Sequence, residues 1–201
     1  MIPIVRYATR ILLLILLSRI LPAQIFQNWD GSFMAGPYFT KTQTIGNSGV
    51  TLYGSTGYAW TWGAGRQVKR IGGASLWLDF PLTFFQPAHE TATIPGSISL
   101  FSTMLTPGAR IMMPLSSRIS ALANAGGGGG FFEYPAIQST TPNLTTNVIN
   151  HGVLDFGGGV DFRISQFLSL RVTVVDYVTG RNLSGVPGRN HPIPMFGFVM
   201  H

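Results

Sequence analysis

The stretch "DFGGGVDFRISQFLSLRVTV", residues 155–174, alternates between two kinds of side chain almost without interruption. Asp155, Gly157, Gly159, Asp161 and Arg163 share one parity, and Phe156, Gly158, Val160, Phe162 and Ile164 share the other. Past Ser165-Gln166-Phe167 the pattern restarts, with Leu168, Leu170, Val172 and Val174 on one face and Ser169, Arg171 and Thr173 opposite. Successive side chains of a strand point to opposite faces, so the stretch reads as two strands joined by a short turn. What decides the fold is which face meets water. In a soluble β-protein the charged face is the surface; in a membrane barrel the apolar face meets lipid and the charges point inward.

Composition bears on that choice. A chain of 201 residues is long enough for one domain with a substantial interior. Charged residues make up 10% of it, against about 25% in ordinary soluble domains. Lys41, Lys69, Glu90 and Glu133 are the only lysines and glutamates, so the usual water-facing coat cannot be built. There is no cysteine, which excludes a disulfide framework, a thiolate nucleophile and cysteine-ligated metal. Glycine (25 residues) and aromatics (12%) are abundant, as suits strands and tight turns.

Residues 1–23, "MIPIVRYATRILLLILLSRILPA", have the layout of a secretory signal: Arg6 and Arg10, then the apolar run Ile11–Leu17, then Pro22-Ala23. The run is too short to span a bilayer, which takes about 20 residues. Removing this segment leaves ten basic against seven acidic residues, too weak an excess to point to nucleic acid.

Past residue 24 no helical stripe stands out, and strand-like segments recur. They fall around residues 31–41, 57–68, 73–85, 98–113, 118–133, 151–164, 168–179 and 193–201. In the second, Tyr58, Trp60, Trp62 and Ala64 oppose Ala59, Thr61, Gly63 and Gly65; in the third, Leu76, Leu78, Phe80, Leu82 and Phe84 oppose Ser75, Trp77, Asp79 and Thr83. In the fourth, Leu105, Pro107, Ala109 and Ile111 oppose Thr106, Gly108 and Arg110; in the last, Phe196, Phe198 and Met200 oppose Met195, Gly197 and Val199. Long connections (42–56, 86–97, 134–150, 180–192) alternate with short ones (69–72, 114–117, 165–167). Such alternation puts the two kinds at opposite ends of an up-and-down sheet, as in outer-membrane barrels with short periplasmic turns and long external loops.

A soluble eight-stranded barrel would have to pack Trp60, Trp62, Phe80, Phe84, Phe156 and Phe162 into an interior just wide enough for side chains. Facing lipid, the same residues need no room. The lumen then receives glycine, serine, threonine and three acids, Asp79, Asp155 and Asp161, against three bases, Arg110, Arg163 and Arg171. Buried charges are costly unless paired, so the six are expected to form an interior network. Tyr58, Trp60, Phe84, Phe131 and Tyr177 suit interfacial aromatic girdles. Asp176 and Glu133 fall on the lipid parity, which implies a bulge or a position already among headgroups.

"GGGVDFRISQFLSLRVTVVDYVTG" (157–180) resembles the penultimate hairpin of the eight-stranded outer-membrane barrels of the outer-membrane protein A type, and "TPGARIMMPL" (106–115) is similar to their middle. The resemblance covers about residues 31–201. It implies an all-β fold, an eight-stranded antiparallel up-and-down transmembrane β-barrel, preceded by a signal peptide (1–23) and a lead-in (24–30). It departs from that family in having no peptidoglycan-binding domain after the barrel, and in ending "FGFVMH", with His201 where such barrels end in an aromatic residue.

Other motifs carry little chemistry. "GGGGG" (126–130) lacks the Lys-Ser/Thr of a phosphate loop, and reads as small residues in a crowded strand. His89, His151, His191 and His201 lie at no metal-ligand spacing, and His89-Glu90 reads as a solvated loop pair. His151 and Asp155 share a parity but lie about 13 Å apart along a strand, too far for a hydrogen bond, and nothing selects among Ser99, Ser102 and Ser184 as a nucleophile. No cofactor or metal is expected. The reading is a non-enzymatic integral outer-membrane barrel with a role in envelope integrity, or in adhesion through external loops such as "STTPNLTTNVIN" (139–150). Its expected partners are outer-membrane lipid and lipopolysaccharide, the barrel assembly machinery during insertion, and an extracellular ligand or host surface met by the loops. The alternatives are a barrel enzyme that modifies lipid A or phospholipid, and a soluble periplasmic barrel that carries a hydrophobic ligand.

Overall fold

A computed structural model describes residues 28–39, 42–44, 50–53, 56–86, 89–92, 97–99, 101–137, 144–179 and 190–201; the expected signal segment lies outside them. The strands are β1 (Trp29–Phe39), β2 (Gln43–Thr44), β3 (Thr51–Tyr53), β4 (Thr56–Ile71), β5 (Ala74–Gln86), β6 (His89–Ala92), β7 (Ser97–Ser99), β8 (Ser102–Leu105), β9 (Gly108–Pro114), β10 (Ile119–Ile137), β11 (Leu144–Arg163), β12 (Leu168–Thr179) and β13 (Asn190–Met200). β1 pairs with β4, β4 with β5, β5 with both β8 and β9, these with β10, and so on through β11, β12 and β13 back to β1. Every pairing is antiparallel. β8 and β9 make one stave, interrupted at Thr106-Pro107 because proline brings no N–H to the ladder. The ring therefore has eight staves and no free edge, the condition for a sheet to sit in lipid.

The strands follow the expected segments, with two differences. β1 begins at Trp29, so Asp30 belongs to the barrel and not to a lead-in. The connection expected at 134–150 is largely strand, because β10 and β11 stay in register from Ile119↔Phe162 to Ile137↔Leu144. Spanning takes about 9–11 residues of a tilted strand. A hairpin of 19 and 20 residues therefore extends well past the bilayer. A second sheet of order β2-β3-β6-β7 joins the first two long connections at the same end.

The opposite end is closed by short turns. Ile71 and Ala74 flank the two-residue turn Gly72-Gly73, where Gly72 takes φ +60°, a left-handed conformation that glycine accepts without strain. The other two turns share one solution: the Ser116 hydroxyl accepts from the Arg118 N–H at 3.3 Å, and the Ser165 hydroxyl from the Phe167 N–H at 3.2 Å.

The opening stretch's face question is settled by the register. Leu170, Val172, Val174, Phe156 and Phe162 point out of the ring, and Arg171, Thr173, Asp155 and Asp161 point in. The same holds around the ring: Phe196 is 65% exposed and Trp62 55%, while Val199 and Ala59 are fully buried. Phe33 and Trp62 lie 4.9 Å apart across the β1–β4 seam, and Trp60 stacks on Phe84 at 4.7 Å, on the outside. A belt this apolar, on a ring with its polar groups inside, is a lipid-facing surface.

One prediction follows from the belt. Val172→Arg, outward near mid-strand, is expected to cost about 2–4 kcal/mol in a bilayer. Val178→Arg, on the same outward face at the strand's outer end, costs much less. Reversible urea unfolding in phospholipid vesicles measures both.

Candidate functional site

The lumen is built in two storeys. At the short-turn end lies an ionic cluster. Arg110 of β9, 1% exposed, donates to Asp30 Oδ2 at 2.6 Å and lies 3.1 Å from Asp79 Oδ1 of β5. Its guanidinium also sits 4.9 Å from the centre of the Trp77 ring. Arg171 of β12 makes a two-pronged contact with Asp161, Nε to Oδ1 at 2.7 Å and Nη2 to Oδ2 at 2.8 Å, and reaches Asp30 at 4.0 Å. Planar guanidinium against carboxylate is the geometry in which such bonds are strongest. Asp30 thus links two arginines on opposite sides of the ring.

Of the six charges expected inside, Asp79, Arg110, Asp161 and Arg171 come together. Asp155 is buried beside them but pairs with an amide, accepting from Asn124 Nδ2 at 2.9 Å. Arg163 has the right parity but lies past the end of the lumen, exposed at the rim. Asp30 takes its place, with the opposite sign. The interior therefore holds four acids, Asp30, Asp79, Asp155 and Asp161, and two bases, not three of each. Sequence reasoning missed Asp30 because the alternation Asp30, Ser32, Met34 was started one step late.

Glycine makes space for this cluster. A Cβ on Gly65 would strike Asp30, Arg110 and Asp79 together. In the run 126–130, a Cβ on Gly126 would meet Asp155, and one on Gly130 would meet Met104 and the Phe132 ring. The pentaglycine is the part of β10 against which the lumen is packed. Above the ions a cavity of about 80 Å³ is bordered by Thr106, Arg110, Asn124, Asp155 and Tyr177. Thr106 Oγ1, Asp155 Oδ1 and Arg110 Nε and Nη1 are buried around it without hydrogen-bond partners among the described residues, so the cavity has a polar wall and is large enough for water to bridge them.

The storey nearer the long connections is apolar, which the sequence reading did not anticipate. Met34, Tyr38, Phe85, Met104, Phe132, Val153, Val175, Tyr177, Ile193 and Met195 form one buried cluster. Phe85 stands edge-on to both Tyr38 (5.4 Å) and Tyr177 (5.9 Å), the arrangement ring quadrupoles favour. Tyr177, expected in an outer girdle, is 2% exposed and inside, where its hydroxyl meets Thr83 Oγ1 at 3.0 Å. Thr83 in turn meets Thr61 at 2.8 Å. Tyr58, Trp60, Phe84 and Phe131 do face outward, as expected of a girdle.

Asp176 needs no bulge: register runs unbroken past it, and it accepts from Asn190 Nδ2 at 2.9 Å and the His191 N–H at 2.7 Å. Glu133 accepts from the Phe101 N–H at 2.8 Å. His151 packs its ring against Phe132 (5.7 Å) and Tyr134 (6.0 Å), with Nε2 buried and unpartnered among the described residues. Its surroundings are rings, not an acid that would orient it as a base. His201 lies at the short-turn rim, 2.9 Å from Ser169 Oγ. His89 and Glu90 lie on β6, Ser99 ends β7 and Ser102 opens β8; Ser184 is outside the described residues.

Removing Arg110 tests the lower storey. Arg110→Met leaves Asp30 and Asp79 buried with a lost partner, and the expected cost is about 3–5 kcal/mol. In the double variant Arg110→Met/Asp30→Asn much of that cost is recovered. Urea unfolding of the folded barrel in vesicles gives both numbers.

No family model matches the chain, and a search of curated proteins finds no match. Solved structures do match in shape. Neisserial surface protein A (NspA) superposes with a TM-score of 0.53 at 10% identity, covering 86% of this chain and 94% of that one. Ail, the attachment invasion locus protein of Yersinia pestis, gives 0.47 at 12% identity over 87% and 99% of the two chains. The outer membrane protein OprG of Pseudomonas aeruginosa gives 0.48 at 11% over 86% and 93%. At these identities the likeness is one of fold: the chain is an eight-stranded transmembrane β-barrel of the outer-membrane kind, as its resemblance to the outer-membrane protein A type implies.

Proposed function

We propose that the chain is a non-enzymatic integral protein of the outer membrane of a Gram-negative-type bacterium, exported by residues 1–23, whose working surface is the ordered structure beyond the external rim. The single observation behind this reading is the overlong β10–β11 hairpin. Bilayer crossing accounts for only about half of its residues. The rest stands outside as paired strand, with Thr146, Asn147, Val148 and Asn150 exposed. Evolution of a pure anchor has no use for such a projection, and a polar, uncharged, hydrogen-bonding strand edge suits recognition of a surface ligand. The small sheet β2-β3-β6-β7 gives the projection a structured neighbour. Lipopolysaccharide around the outer rim and the assembly machinery during insertion are the partners this location brings.

The filled lumen supports a structural role over conduction: one storey is ionic, the other aromatic and apolar, and no continuous polar path links the two ends through the described residues.

Three outcomes test this reading. Protein recovered from the outer membrane of expressing cells begins near residue 24. Planar-bilayer recordings of the purified barrel show no stepwise conductance. Cells displaying the chain adhere to host-cell or matrix surfaces, and a variant with residues 134–147 replaced by a short turn is inserted equally well but no longer adheres. Equal adhesion by the two would remove the hairpin from the function, and lipid A altered in expressing cells would favour the enzyme alternative.

A further inference from the structure

Among the described residues, all five exposed basic side chains lie at one end of the barrel. Arg66, Lys69 and Arg70 end β4, Arg118 is in the turn after β9, and Arg163 ends β11. They flank all three short turns. No acid answers them at the surface there: Asp30 and Asp161 are buried and already bound to Arg110 and Arg171. The end is also greasy, with Ile71, Leu115, Ile164 and Phe167 exposed in or beside the same turns.

The backbone of β4 is bent to serve this arrangement. Up to Gln67, odd-numbered residues face the lumen, as Gly65 and Gln67 do opposite Asp79 and Trp77. Continued, that parity would send Lys69 inward. A bulge between Gln67 and Lys69 inserts Val68 as an extra residue, so that Lys69 pairs with Leu76 of the outward face. Lys69 thereby joins Arg66 on the outside of the barrel, just below the apolar belt. Arg66 lies 5.5 Å from the centre of the outward Trp29 ring, a tryptophan at the depth where the belt gives way to polar residues.

We propose that this collar is a binding surface for the phosphate headgroups of anionic glycerophospholipids in the leaflet that meets the short turns, with Arg66 and Lys69 as its centre. The proposal rests on the reading of the chain as a membrane-spanning barrel. Three features select this occupant. The central cations, Arg66 and Lys69, lie on the outward face beside Trp29 at the edge of the apolar belt, which is headgroup depth for a spanning barrel. They are interleaved with apolar side chains that enter the acyl boundary. The bulge aims Lys69 sideways, along the bilayer plane, where a lipid stands. A soluble polyanion or the cell-wall polymer would instead meet side chains pointing away from the barrel end. Juxtamembrane basic residues each add attraction for anionic lipid that falls off within a Debye length.

The test uses the barrel folded in vesicles of mixed phosphatidylcholine and phosphatidylglycerol. One or the other lipid is brominated to quench the outward tryptophans. Wild type is expected to be quenched as if phosphatidylglycerol were enriched about fivefold next to it, and the enrichment should shrink as salt is raised. Arg66→Gln/Lys69→Gln, which leaves the lumen untouched, is expected to lose most of it while keeping the faster gel mobility of an unboiled barrel. Arg118→Gln/Arg163→Gln, at the rim, should lose less. Equal quenching by the two lipids in wild type, or enrichment unchanged in Arg66→Gln/Lys69→Gln, overturns the proposal. So does salt-sensitive binding of purified peptidoglycan in the absence of any lipid preference, which would make the collar a cell-wall contact. Loss of the mobility difference in wild type, in vesicles of any composition, would overturn the membrane-spanning reading itself and the collar with it.

Discussion

Lipid offers backbone amides no hydrogen bonds, and the structure follows from meeting that constraint. A sheet can do so only by closing, and here closure is the pairing of the first stave with the last, Gly31↔Met200 through Ala35↔Phe196. Once eight strands close, the lumen is narrow and cut off from bulk water, so whatever points inward must be packed and electrically answered. Glycine at inward positions is one consequence: Gly57 lies where a Cβ would strike the Tyr38 ring, and Gly65 where it would strike the ion cluster. The outward residues have no such restriction, and large aromatic and branched side chains collect there.

The two storeys solve the filling problem in different ways. Near the short turns, Arg110 and Arg171 draw the carboxylates of three staves together through Asp30, so the ionic contacts tie β1, β5, β9, β11 and β12 across the lumen. Near the external end, rings and methyl groups do the same by contact, with the Tyr177–Thr83–Thr61 chain and the Thr179–His191 pair as polar exceptions. Among the described residues two acids remain in excess inside, and both Asp79 and Asp155 border the cavity. The collar of basic residues outside the short-turn end has the opposite sign and a different task.

Alternation made the staves and the outward belt legible, because a period of two is a direct image of a strand with unlike sides. It also placed Asp79, Arg110, Asp161 and Arg171 inside. It failed where both parities carry apolar residues. Val175 and Tyr177 lie on the inner parity of β12, yet nothing in "VVDYV" distinguishes them from lipid-facing neighbours. Arg163 was misplaced because parity says nothing about where a lumen ends. The strand-built hairpin was hidden by composition: "TTNVIN" looks like loop, and only the continued register with β10 makes it strand. The bulge that turns Lys69 outward has no sequence mark other than an extra residue between two patterns.

The central claim is that the belt is in lipid and that the lumen is shut. The chain has no cysteine, so single cysteines at positions 170 to 175 of β12 report one site each. In vesicles, the account predicts that cysteines replacing Leu170, Val172 and Val174 are quenched or labelled from the lipid phase, while those replacing Thr173 and Val175 react with neither lipid-borne nor water-soluble reagents. Ready labelling of positions 170, 172 and 174 by a water-soluble maleimide would contradict a lipid-facing belt, and ready labelling of 173 and 175 would contradict a closed lumen.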